Sequence, residues 1–147
     1  MPGLLPRFRA AAAYASCRIS FAMTYRWLSL PAALAHSDQI ARWWMDSTDA
    51  CVPLAEAIAD QRNVERWIRR LPRMRSTCLH RAAASSAALR AAGWNATFVV
   101  GLAPADSASE QLGHAWVEVE GQRVSDGVWS RFVETFRFPA AEVVAER

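Results

Sequence analysis

Ser76-Thr77-Cys78-Leu79-His80-Arg81-Ala82-Ala83, continuing to Gly93, is the stretch on which the reading of this chain turns. Ser76 or Thr77 can cap a helix that runs to Ala92, and Gly93 suits the left-handed residue that closes it. Cys78, Ala82, Ser85 and Leu89 then share one face. The small residues Ala82, Ala83, Ser85 and Ser86 would let that helix approach a sheet closely. A cysteine at such a helix start is in a particular chemical setting. Unpaired N–H groups and the helix dipole favour a thiolate, and a backbone N–H there can also donate to a developing oxyanion.

The residues after Gly93 read as sheet. Ala96-Thr97-Phe98-Val99-Val100-Gly101-Leu102 is apolar and β-branched, as a buried strand should be. Residues 103–113 form a polar loop. His114-Ala115-Trp116-Val117-Glu118-Val119-Glu120-Gly121 is a second strand, with a turn and a short return strand, Arg123-Val124-Ser125-Asp126. The tail from Trp129 to Arg147 is expected to pack over the sheet edge.

On the N-terminal side, the first seventy residues read as helical. Pro6 could start a helix reaching about Leu28, ended by Ser29-Leu30-Pro31. Ser37-Asp38 can cap a short helix carrying Ile40, Trp43 and Trp44. Pro53 suits the first turn of a third, with Leu54, Ile58, Gln61, Val64, Trp67, Ile68 and Leu71 approximating one face, and Pro72 stops it. The expected fold is therefore α+β, in which a central cysteine-bearing helix packs on a small antiparallel sheet behind a helical N-terminal region. One domain over 1–147 is expected, with residues 1–70 helical and 71–147 forming the core.

Composition narrows the classes. Hydrophobic residues make up 52% and charged residues 21% of the 147, which argues against extensive disorder. All 17 basic residues are Arg, a sign of a GC-rich genome, and the net charge of +3 is too small to imply nucleic acid. Three widely spaced cysteines (17, 51, 78) without a C-x-x-C pair fit a reducing cytoplasm rather than a disulfide framework. His36, His80 and His114 form no H-x-x-x-H motif, so neither a metal nor any other cofactor is expected. The acid-free Met1–Leu34 stretch superficially resembles a transit peptide, but is read as part of the fold. Some of the seven Trp should line a groove or interface rather than vanish wholly into the core.

A thiol at Cys78, an imidazole at His114 and a carboxylate at Asp126 are the parts of a cysteine nucleophile, its base and the orienter of that base. The same residues also fit a small buried hydrophobe, a histidine on a solvated face and a turn residue before Gly127. Register separates the two readings. A two-residue loop at Gly121-Gln122 would pair Val117 with Asp126 and send His114 to the other face. A three-residue loop, Glu120-Gly121-Gln122, would pair Trp116 with Asp126, one diagonal step from His114. The triad therefore calls for the odd loop or a bulge. His80 is a competing base, expected to serve packing instead, and Glu118 is a competing carboxylate too far along the strand to orient His114.

The helix-start Cys-Leu, the Gly turn, the strand ending in Val-Gly-Leu, His-Ala-Trp-Val-Glu-Val-Glu-Gly and the following Asp resemble the transglutaminase-like cysteine protease superfamily. Within it, the resemblance over Leu71 to Asp126 is to the leader-peptidase part of the B protein of lasso-peptide biosynthesis. That resemblance implies a transglutaminase-like or papain-like core and a bacterial, cytoplasmic hydrolase with Cys78 as nucleophile, His114 as general base and acid, and Asp126 as orienter. It also implies three partners: a precursor peptide cut between leader and core, a small leader-binding protein, and a macrolactam-forming cyclase. No nucleic acid or membrane partner is implied. An acyl transferase with the same triad and a peptide- or nucleic-acid-binding module remain open. Arg62, Arg66, Arg69, Arg70, Arg73 and Arg75 read either as a solvated helix face or as a dock for an acidic leader or partner.

Overall fold

The computed structural model describes residues 3–45, 51–105, 112–124 and 132–140. Four helices, α1 (Leu4–Thr24), α2 (Leu30–Trp44), α3 (Leu54–Ile68) and α4 (Cys78–Ala91), precede a four-stranded antiparallel sheet. Its strands are β1 (Ala96–Leu102), β2 (Gly113–Val119), β3 (Gln122–Arg123) and β4 (Val133–Phe138), in spatial order β3-β2-β1-β4. The α+β expectation holds.

α4 is central because almost every side of it can be buried. Ala82, Ala83, Ala84, Ser86, Ala87, Ala88 and Leu89 are all buried, so α1 and α2 pack on one side and β1 and β2 on the other. Small side chains on both flanks permit that double approach. Thr77 caps the helix, its Oγ1 accepting from the His80 N–H at 3.4 Å. At the other end Gly93 N–H donates to Arg90 O and Trp94 N–H to Leu89 O, both at 3.0 Å. Gly93 has φ 93°, the left-handed value this paired closure requires.

The N-terminal helices differ from the sequence reading in two places. Pro31 does not end a helix; it sits in the first turn of α2, where its missing N–H costs nothing. Ser37 is then not a cap but a buried mid-helix residue, its hydroxyl donating to Ala33 O at 3.1 Å. In α3 the buried face is Ala57, Gln61, Glu65 and Ile68, while Trp67 is 68% exposed. Polar residues occupy that inward face because they bond other helices. The Arg-rich N-terminal stretch is structural: α1 packs on α2, α3 and α4, and no helix among the described residues is long and apolar enough to cross a membrane.

Ala96 and Phe98 stand opposite Val119 and Val117, and these residues face the helices in the core. Thr97, Val99 and Gly101 stand opposite Glu118, Trp116 and His114 on the far face. The expected cover of the sheet edge is a strand: β4 pairs with β1, with a bulge at Thr135 whose hydroxyl donates to Val100 O at 3.2 Å.

The expected odd loop does not form. Val119 pairs with Gln122 and Glu118 with Arg123, leaving the two-residue turn Glu120-Gly121. Both turn residues have positive φ, 51° and 76°, the hand that matches strand twist in tight hairpins. The Val124 N–H donating to Val117 O at 3.0 Å carries the same register one step further. This even, unbulged register overturns the reason for expecting Asp126 beside His114, and Asp126 itself lies outside the described residues.

Candidate active site

Cys78 is the first residue of α4, half-buried, and opens onto a cavity of about 500 Å³. His114 and Ala115 from β2 line the same cavity, as do Ala82 and Ser85, one and two turns along from Cys78. Two of the three anticipated residues are thus brought to one place.

They arrive differently. Cys78 comes from the helix side of the sheet. His114 stands at the start of β2, and its ring stacks with far-face aromatics, its centroid 6.2 Å from that of Trp116 and 5.5 Å from that of Phe132. Trp116 is held in turn. Its Nε1 donates to Glu118 at 3.1 Å, and the Arg123 guanidinium lies 4.1 Å over its ring. Glu118 also accepts from Arg137 at 3.1 Å, so that carboxylate is occupied by the far-face layer. Burial first, then the positive charges of Arg123 and Arg81, push the His114 imidazole below its ordinary range. A histidine so placed is neutral near pH 7, the form that can accept a proton.

His80, the competing base, belongs to packing. Its ring meets Phe21 edge-on at 5.5 Å, and its Nδ1 lies 2.5 Å from Thr77 Oγ1. No Trp lines this cavity among the described residues. Trp27 and Trp43 are exposed instead, and Trp116 is buried in the aromatic layer.

The N-terminal helices supply something not anticipated. Glu65 of α3 is buried and accepts hydrogen bonds from Tyr14 OH at 2.8 Å, Arg18 Nε at 3.1 Å and Ser76 Oγ at 2.6 Å. Arg18, fully buried in α1, also donates to the backbone carbonyl of Arg75. Burial alone would raise the Glu65 carboxyl, but the hydrogen bonds from Ser76, Arg18 and Tyr14 outweigh it and hold it low. Residues 75 and 76, just before the thiol, are therefore tied to both α1 and α3. Helical spacing carried the signal: Tyr14, Cys17, Arg18 and Phe21 fall on one face of α1, and Glu65 lies one turn beyond Gln61.

A helix-start cysteine on an antiparallel sheet, with a strand histidine at the same cavity, is an arrangement capable of cysteine-nucleophile acyl chemistry. Residues 11–137 match the family model of the transglutaminase-like superfamily, and the chain belongs to that superfamily, which includes cysteine proteases and acyl transferases. The match begins within α1 and ends within β4. Neither the curated proteins nor the solved structures returned a match.

Proposed function

We propose that the protein is a cysteine peptidase that removes the leader from a ribosomally made lasso-peptide precursor. The observation that supports it most is Cys78 at the start of the central helix, opening on a cavity that His114 also lines. In this reading neutral His114 takes the Cys78 proton and the thiolate attacks the carbonyl at the leader–core junction. The Cys78 N–H, one of the unpaired donors of the helix start, holds the oxyanion. His114 then protonates the leaving amine, and water cleaves the thioester to release the leader carboxylate. Asp126 is the orienter of His114 in this reading on the family resemblance alone, and the even hairpin register weighs against that place. A small leader-binding protein delivers the precursor, and a separate cyclase closes the freed core.

Incubating purified protein, partner and precursor tests this directly. Cys78→Ala should abolish cleavage with an unchanged melting temperature, and retained cleavage would overturn the proposal. Mass spectrometry of the products identifies water or an amine as the acceptor.

A further inference from the structure

We infer that the cavity beside Cys78 contains a carboxylate-binding subsite, so that the preferred substrate is a peptide with an acidic side chain close to the scissile bond. This rests on the peptidase reading for the word substrate, though not for the binding itself. Arg62, Arg66 and Arg69 reach the cavity from α3 and the turn after it, and Arg81 from α4. Among the described residues Glu65 is the one carboxylate lining it, and that group is already engaged by Tyr14, Arg18 and Ser76. Arg66, Arg69 and Arg81 thus give the cavity wall positive charge that its own acidic residue does not offset.

The structure divides the arginine cluster seen in the sequence. Arg70 lies 4.7 Å over the Trp67 ring, and Arg75 contributes its carbonyl to Arg18. Arg66, by contrast, contacts Asn63 one turn back, and Arg69 donates to Ser76 Oγ at 3.3 Å, two residues before the thiol. These two neutral contacts leave both cations uncompensated by carboxylates among the described residues. Guanidinium groups on a concave wall recognise carboxylates through paired N–H donors, and a cleft of one sign concentrates its counter-charge. A solvated helix face would need no such convergence on the nucleophile.

Alkylation reads this without any proteolysis. Iodoacetate and iodoacetamide form the same S–CH2 bond and release the same iodide, but only the first carries a carboxylate. Site-resolved mass spectrometry should give an iodoacetate-to-iodoacetamide rate ratio at Cys78 well above that at exposed Cys51 of the same molecules. The Cys78 ratio should fall about tenfold in an Arg66→Gln/Arg69→Gln variant and fall with added salt, as screened charges require. If the double variant does not fold, the salt series on the unaltered protein and Arg66→Gln alone decide it. A ratio equal at the two cysteines and insensitive to salt would overturn the subsite. A preserved ratio in a protein that cleaves no precursor would leave the subsite standing and remove the peptidase reading. Precursor cleavage that is indifferent to Glu→Gln changes flanking the scissile bond would overturn the substrate preference while leaving the peptidase reading intact.

Discussion

Gly101 stands directly opposite His114 across the β1–β2 ladder. A Cβ on Gly101 would lie 2.9 Å from Phe132 Cβ and 2.9 Å from Trp116 Cη2, the two residues that stack on the His114 ring. The missing side chain thus leaves the space that the two aromatics beside His114 occupy. Gly101→Ala should force both aromatics to move, at about 1–3 kcal/mol for overpacking. Cleavage should fall by more than that destabilisation accounts for. A thermal melt beside initial rates checks it; a melt and rate both unchanged would show that the aromatic stack does not set His114.

His114 sets the direction of the pH dependence. Its imidazole is held below the ordinary range by burial and then by Arg123 and Arg81. Cleavage should therefore persist below pH 6.5, falling only as pH drops through this lowered value. The unfolded chain, with an ordinary histidine near ~6.5, takes up its proton first. The His114 contribution to stability is consequently greatest above that pH and is lost as pH falls through the folded value. Arg123→Gln should move the acid limb of the rate profile upward. NMR titration of the histidine C–H resonances checks it: the His114 midpoint should rise in the variant, and an unchanged midpoint would show that Arg123 does not act on the ring.

The thiols should separate in order of access. Cys17 is fully buried in α1, its Sγ donating to Ser37 O at 3.2 Å, and burial pushes its thiol up to about 12. Iodoacetamide at neutral pH should label Cys51 and Cys78 in the native protein and Cys17 only after unfolding. Peptide mapping by mass spectrometry reads this directly, and native labelling of Cys17 would mean that the α1–α2 packing opens.

Much of this architecture is legible in the residues. The caps at Thr77 and Gly93 and the strand alternation around His114 arise from local chemistry, and each acts within a few residues of itself. The departures are longer in range. Pro31 is equally suited to ending one helix or starting the next, and only packing decides. Trp67 looks inward by type, yet Glu65 takes the inward place because Arg18, 47 residues away, neutralises it. The hairpin departs from expectation by one residue because Glu120 accepts a left-handed conformation more often given to Gly or Asn. One such step changes which face every later side chain meets. The aromatic stack on His114 depends on Phe132 returning to the sheet through β1's other neighbour, a pairing that no local pattern encodes.

The link between Arg18 and Glu65 makes the sharpest claim about the first half of the chain. Arg18 is fully buried and Glu65 5% exposed, so removing one partner leaves a buried charge. Arg18→Met or Glu65→Gln should each cost about 3–5 kcal/mol, whereas Tyr14→Phe, which deletes one hydrogen bond, should cost about 1–3 kcal/mol. Because the Glu65 carboxyl is held low, its contribution is present above about pH 4.3 and is lost as pH falls through the folded value. Stability alone would not show that the network serves Cys78. The double variant Arg18→Met/Glu65→Leu separates the roles, since an apolar pair can restore stability. It cannot restore the ties to Arg75 and Ser76 that fix the chain just before the thiol. A double variant that regains its melting temperature while cleavage stays low would assign α1 and α3 the task of positioning the nucleophile; recovery of both would reduce the network to packing.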